Sequence, residues 1–230
     1  PKRGPWTLGA RYDPASFYDL AGPTKTSRKG YGAGLGYERP LLYDPPKSLD
    51  LNAALSGYAG LERLPDYQNV STSPGFDKLV SGEASLAYKN LRSSIGAADY
   101  EKGIRWSLEG STNGVRFVRG GDAAWRGFPF VQGTLDFGFP LPIRNSSLWI
   151  RNAGGWSPGD RDEPFANFFF GGFGNNWVDH QEPKRFREPT SFPGTELNSI
   201  AGTSFAKVLA EWNLPALRFR RAGTLALYAS

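Results

Sequence analysis

Apolar and polar residues alternate one by one along most of this chain, which is the period of a β-strand with two different faces. The alternation is clearest near the C-terminal end, with Ala206, Val208, Ala210, Trp212 and Leu214 set against Lys207, Leu209, Glu211 and Asn213. Similar segments begin at Trp6, Tyr31, Leu49, Val80, Ile104 and Val131. The pattern predicts an all-β chain of roughly ten to twelve strands, each of about 8–11 residues, and no helix.

The connections between these segments are of two kinds. Short turns are predicted around Asn90, Glu101 and Pro140, with a weak strand from Ile95 to Tyr100 between the first two. Long polar connections are predicted at 13–29, 61–76 and 174–199. Short turns on one side and long loops on the other are typical of an antiparallel transmembrane β-barrel, whereas a soluble sandwich has more evenly spaced turns.

The composition fits a sheet that meets lipid on one face, because only 39% of the residues are hydrophobic while 14% are aromatic. A soluble barrel or sandwich would have a similar composition. No apolar run approaches the roughly 18–20 residues of a membrane helix. The formal net charge of +5 predicts either a solvated basic surface or contact with anionic lipid headgroups or lipopolysaccharide. No nucleic-acid recognition motif occurs, so we expect no nucleic-acid partner.

The chain contains no cysteine, which excludes a disulfide scaffold and a thiolate metal site. It starts at Pro1 without a methionine or a basic-then-apolar leader segment. We therefore expect residues 1–230 to be one barrel domain of a longer protein, preceded by periplasmic domains. The glycines at 32, 34 and 36 lack the following helix of a phosphate-binding loop, so they are predicted to line the inner face of a strand.

A long loop precedes the last clear strand. It follows Phe168-Phe169-Phe170-Gly171-Gly172, has Arg185-Phe186-Arg187-Glu188 near its middle, and closes on Phe192-Pro193-Gly194. With the strand that ends in Leu214-Pro215, this stretch resembles the C-terminal barrel of the bacterial surface antigen family, the BamA/TamA-type superfamily. The family's Arg-Gly-aromatic loop motif is absent from this loop. Arg126-Gly127-Phe128 has that composition but is predicted to start a strand far upstream.

The resemblance implies a barrel of about 12–16 strands in the outer membrane of a Gram-negative bacterium, with its last strand or strands outside this chain. It also implies a role in inserting, secreting or translocating protein or lipid. In the family, a loop arginine enters the lumen and pairs with an acidic strand residue. Here that pair would be Arg187 or Arg185 with Glu211, which points inward by its strand phase.

Physical chemistry supports such a pair, because an ionised carboxylate in a narrow lumen needs a partner and a guanidinium can bind it with two hydrogen bonds. The alternative is that Glu211 faces a water-filled lumen and Arg187 is a solvated loop residue. His180 could form a cation site with Asp179 and Glu182, or all three could be solvated. We predict no enzymatic activity, metal or cofactor, since no catalytic motif surrounds any serine, histidine and acid set.

Three other functions remain open. The chain could be a structural barrel that anchors a periplasmic domain or a larger envelope complex without transport. It could be an outer-membrane enzyme of the phospholipase type, for which the motif is missing. It could also be a soluble all-β binding domain, in which case the tryptophans would belong to a core rather than to belts at the membrane interfaces.

Overall fold

Most of the chain forms one antiparallel sheet. The computed structural model describes residues 4–18, 27–63, 75–97, 99–119, 121–172, 185–196, 199–215, 217–218 and 226–227. The sheet has eight strands in the order β1-β2-β3-β4-β5-β6-β7-β10. These strands are β1 (Trp6–Tyr18), β2 (Ser27–Asp44), β3 (Lys47–Arg63), β4 (Phe76–Arg92), β5 (Lys102–Arg119), β6 (Asp122–Pro140), β7 (Ser147–Trp156) and β10 (Ser204–Asn213).

The remaining elements are short. β8 (Phe168–Phe170) pairs with β9 (Ile200–Gly202), and β11 (Leu217–Arg218) pairs with β12 (Ala226–Leu227). The helical content of the described residues is two single 3₁₀ turns, at Pro164–Ala166 and Arg185–Arg187. None of the helices described is long and apolar enough to cross a membrane. The predicted all-β class is therefore confirmed.

Several strands are longer than the alternating pattern indicated. The turn predicted at Asn90 is wrong, because β4 continues to Arg92. The predicted weak strand from Ile95 to Tyr100 is also wrong, since residues 93–101 form the connection. The turn predicted at residues 101–103 is right only at Glu101, because β5 begins at Lys102. The Arg126-Gly127-Phe128 tripeptide lies within β6 rather than at its start. The common cause is that these strands extend past the alternating segment into polar ends.

The connections at one end of the sheet, here called the short-turn end, are residues 45–46, 93–101 and 141–146. Hydrogen bonds between these turns stabilise this end. The side chain of Asn145 donates to the Gly96 carbonyl at 3.2 Å, and the Trp149 indole donates to the Tyr100 carbonyl at 2.9 Å. The connection from β7 to β10, residues 157–203, leaves and returns at the opposite end.

The described parts of the connection between β7 and β10, residues 157–172, 185–196 and 199–203, contact one face of the sheet, which we call the inner face. Phe165 packs edge-on against Phe76 and Phe117, with ring centroids 5.3 and 5.5 Å away, and stacks on Phe128 at 5.6 Å. These rings lie in the main buried apolar cluster with Leu61, Leu79, Val115 and Ala166. The apolar core is thus small and lies near the end where this connection leaves the sheet.

The opposite, outer face is apolar and exposed. Cross-strand registers place Leu49, Tyr88, Trp106 and Leu135 in one row across β3 to β6, and Leu51, Leu86 and Leu108 in the next. The outward positions carry no charged residue over residues 49–59, 80–88, 104–114 and 129–139 of these strands. Exposed side chains on this face include Leu8, Leu55, Leu108, Val131, Phe139, Val208 and Trp212.

Strand β10 shows most clearly that apolar side chains are exposed on the outer face while charged ones are buried on the inner face. Its burial alternates without a break, and the exposed positions are the apolar ones, such as Val208 and Trp212. Glu211 and Asn213 are buried. The alternation in the sequence therefore matches the two faces of this strand, and Glu211 lies on the buried one.

Candidate functional site

A network of ion pairs lies on the inner face near the short-turn end. Strand registers place Arg105, Asp136 and Arg151 side by side on β5, β6 and β7. Asp136 accepts hydrogen bonds through Oδ2 from Arg105 Nη2 at 2.5 Å and from Arg151 Nη1 at 2.9 Å. Arg151 Nε also donates to Glu211 Oε2 on β10 at 2.8 Å. The network therefore links four adjacent strands through charged side chains.

Arg187 joins this network from the connection between β7 and β10. Its Nε donates to Glu211 Oε2 at 2.8 Å, and its Nη2 contacts Glu211 Oε1. The same Nη2 donates to Asp99 Oδ2 at 2.6 Å, in the turn between β4 and β5. The structure thus brings together Arg187 and Glu211, the pair considered from sequence, and adds Asp99 as a second acceptor.

The network is balanced in charge, and its side chains other than Arg105 are mostly buried. The Glu211 side chain is 3% exposed and Arg187 is 17% exposed. Arg105, Arg151 and Arg187 provide three positive charges, and Asp99, Asp136 and Glu211 provide three negative ones. Burial works against the charged form of Arg187, but its hydrogen bonds to Glu211 and Asp99 outweigh this and raise its pKa above the usual value. Each charged group therefore has a counter-charge, and water reaches all of them poorly except Arg105.

The connection extends deep along the sheet to reach this position. Residues 157–203 leave the sheet after Trp156, and β10 starts beside it at Ser204. Glu211 lies seven positions further along β10, which is about 23 Å at the usual rise of a strand. Arg187 therefore contacts the sheet close to the end opposite to the one where its own segment leaves.

Lys207 binds the backbone of the same segment. Its Nζ donates to the carbonyl oxygens of Glu188 and Ser191 at 2.6 and 2.9 Å, and contacts Ser191 Oγ at 2.7 Å. The Ser191 side chain also donates to the Phe186 carbonyl at 2.6 Å. Three donors of one ammonium group thus hold the 3₁₀ turn that carries Arg187 against β10.

The two glycines at the start of the loop and its closing residues also meet. Gly172 and Phe192 form an antiparallel bridge, with the Phe192 amide donating to the Gly172 carbonyl at 3.0 Å. Gly171 and Gly172 have φ values of 145° and 55°, a region that side chains other than glycine rarely adopt. Pro193 and Gly194 form the turn that follows Phe192. The predicted loop residues therefore form one folded unit.

Some predicted residues lie outside what the structure describes. The side chain of Arg185 is one, so Arg187 is the arginine whose contacts are known. Asp179, His180 and Glu182 fall in the segment 173–184, which is also outside the described residues. Among the residues that are described, no group of three histidine or acidic side chains could hold a metal ion.

Sequence reasoning missed Asp99, Arg105, Asp136, Arg151 and Lys207. Arg105, Asp136 and Arg151 had a detectable signal, because each is a charged residue at an inward position of an alternating strand. Lys207 also has inward phase, but its partners are backbone carbonyls of a distant loop. Asp99 lies in a segment that was predicted to be a strand, so its position in a connection at the short-turn end could not be predicted.

Searches of protein-family models, curated proteins and solved structures found no match to this chain. Its function is therefore inferred from the geometry of the sheet and of the ion-pair network on the inner face.

Proposed function

We propose that this chain is part of an outer-membrane β-barrel of the BamA/TamA type that inserts or translocates protein or lipid. The observation that carries the proposal is the distribution of polarity, which is the reverse of that in a soluble protein because the apolar face is exposed and the charged side chains are buried. The outer face is uncharged over about nine to eleven residues of each of the strands β3 to β6, the length that a tilted strand needs to cross a bilayer. The inner face holds the buried charges and the inserted segment.

The strand directions support closure of the sheet. Strand β1 runs away from the short-turn end, and β10 runs towards it. In the described residues no ladder joins these two edge strands. Because they are antiparallel to each other, the sheet can close directly or through an even number of further strands.

Direct closure conflicts with the inserted segment. An eight-stranded barrel has an interior that side chains alone fill, whereas this inner face also carries the 3₁₀ turn at Arg185–Arg187 and the residues around it. A wider barrel with at least one further strand pair accommodates both. The paired β11 and β12 would be the first such pair.

The assembly role rests on the loop contact. A segment that reaches the short-turn end through Arg187, Glu211 and Asp99 matches the family's loop that folds back into the lumen. The same contacts also suit the alternative, a passive barrel that anchors a periplasmic domain. A filled, ion-paired interior would make such an anchor rigid.

Two measurements separate these functions. The full chain, refolded into phosphatidylcholine vesicles, should migrate faster on gels before heating than after. A stable, monodisperse protein in plain buffer would contradict the membrane assignment. Vesicles that contain the chain should then accelerate insertion of a second, unfolded outer-membrane barrel, relative to vesicles that contain an unrelated passive barrel. An unchanged insertion rate would favour the anchor.

A further inference from the structure

Three basic side chains lie together on the outer face at the short-turn end. Lys47 on β3 is directly opposite Asn90 on β4, and Arg92, two residues further along β4, is directly opposite Lys102 on β5. Lys47, Arg92 and Lys102 are all exposed. Residues in directly opposite or diagonal positions on one face lie about 4.5–8 Å apart. The three cations therefore form one cluster around Asn90.

In the part of the chain that the structure describes, none of these three cations forms an ion pair within 4.0 Å of an acidic side chain. Asp44 on β2 is directly opposite Lys47. Glu101, next to Lys102 in the sequence, accepts a hydrogen bond from the Ser94 amide at 2.7 Å and also contacts the Ser94 hydroxyl. Like charges directly opposite each other destabilise a sheet. An external anion would remove this repulsion between Arg92 and Lys102.

The surroundings of the cluster indicate which anion fits. A shallow depression of 380 Å³ at this edge of the sheet is lined by Arg92, Lys102, Asn90 and Ile104 of the outer face and by inward positions of β5 and β6. One row further from the short-turn end, Tyr88 and Trp106 stack with ring centroids 5.9 Å apart. Beyond them lie Leu51, Leu86 and Leu108. Cations, then aromatic rings, then aliphatic side chains is the order in which a lipid presents its headgroup, interfacial region and acyl chains.

We propose that Lys47, Arg92 and Lys102, with Asn90, bind the phosphodiester headgroup of an anionic phospholipid. This inference depends on the proposed membrane location. Short turns of outer-membrane barrels face the periplasm, so the lipid would come from the periplasmic leaflet. The cluster would fix the depth of β3 to β5 in the bilayer, since basic residues near the surface attract anionic lipid.

The test uses the full chain, refolded into vesicles and extracted into a neutral detergent. Native mass spectrometry would count phosphatidylglycerol and phosphatidylcholine of the same acyl chains that stay bound. We expect one phosphatidylglycerol to bind the wild-type chain at least tenfold more tightly than phosphatidylcholine. The triple variant Lys47→Gln/Arg92→Gln/Lys102→Gln should lose that preference. Replacement of each by the other basic residue, as in Arg92→Lys, should retain it.

A matched control removes three other exposed cations near the same end, Arg39→Gln/Lys89→Gln/Arg144→Gln. The site is overturned if this control loses the preference equally, if the first triple variant keeps it, or if glycerol phosphate competes as well as the intact lipid. Refolding into vesicles is scored separately by gel mobility. A wild-type chain that inserts but shows no lipid preference overturns the site alone, and one that never inserts overturns the proposed membrane function as well.

Discussion

The inner face of the sheet differs sharply between its two halves. Across β5, β6, β7 and β10 it carries the ion-pair network and the segment that covers it. Across β1, β2 and β3 it is lined mostly by small residues, Gly9, Gly32, Gly34 and Ser56, which border a depression of 280 Å³ together with Arg11 and Tyr58. One half is thus crossed by a network of long charged side chains, whereas glycine and serine leave a depression in the other. The difference indicates that the covering segment is fixed to one half of the inner face.

The largest expected effect comes from breaking the network at Glu211. Glu211→Ala leaves Arg151 and Arg187 buried with one fewer counter-charge, which should destabilise the protein by about 3–5 kcal/mol. The measurement is urea unfolding in vesicles, followed by tryptophan fluorescence. Glu83→Ala is the control, because Glu83 is an exposed inward carboxylate on β4 and should change stability by less than about 1 kcal/mol. Equal effects of the two variants would contradict the expectation that the buried ion-pair network stabilises the protein.

A smaller effect is expected at the arginine of the covering segment. Arg187→Lys keeps the charge but cannot make the forked contacts to Glu211 and Asp99, so it should destabilise by about 2 kcal/mol. Protease should also cut residues 185–196 faster in this variant. Arg105→Lys is the matched substitution, since the Arg105 side chain is 46% exposed and should cost less than about 1 kcal/mol. If Arg105→Lys proves the more damaging, the segment is not held by Arg187.

The smallest effects are expected from replacing one glycine by alanine in each half of the sheet. A Cβ at Gly155 would lie 2.5 Å from the Phe205 ring and 2.8 Å from the Phe168 ring, whereas nothing lies within 4 Å of one at Gly9. Gly155→Ala should destabilise by about 1–2 kcal/mol. Gly9→Ala should be neutral or stabilise by about 0.5 kcal/mol, because glycine weakens a strand interior. A destabilising Gly9→Ala, measured by the same urea unfolding, would show that something occupies the open half.

The sequence predicted the fold better where side chains alternate than where they do not. Strand β10 was predicted with both faces correct, because each of its positions follows the period of two. The far ends of β4 and β5 were missed, because Arg92 and Lys102 interrupt the apolar alternation although their backbones remain paired. Alternation reports which face meets an apolar environment, and a strand that continues beyond that environment loses the signal.

The candidate site was predicted only in part for a similar reason. The direction of Glu211 follows from strand phase, and Arg187 was one of two arginines considered from the family resemblance. The register that places Arg105, Asp136 and Arg151 in one row depends on the lengths of three turns. Such lengths are set by long-range packing, which a local pattern does not contain.

The position of β10 beside β7 has a consequence for the order of folding. Strands β1 to β7 can pair successively through neighbours in the chain, and such local pairs form quickly. The β7–β10 ladder forms only when the ends of residues 157–203 come together, so its loop-closure entropy is larger. The covering segment must then find Lys207 and Glu211 as the last strand docks. Its enclosure is therefore a late step of folding, and a chain interrupted there would expose the buried charges of β6 and β7 to water.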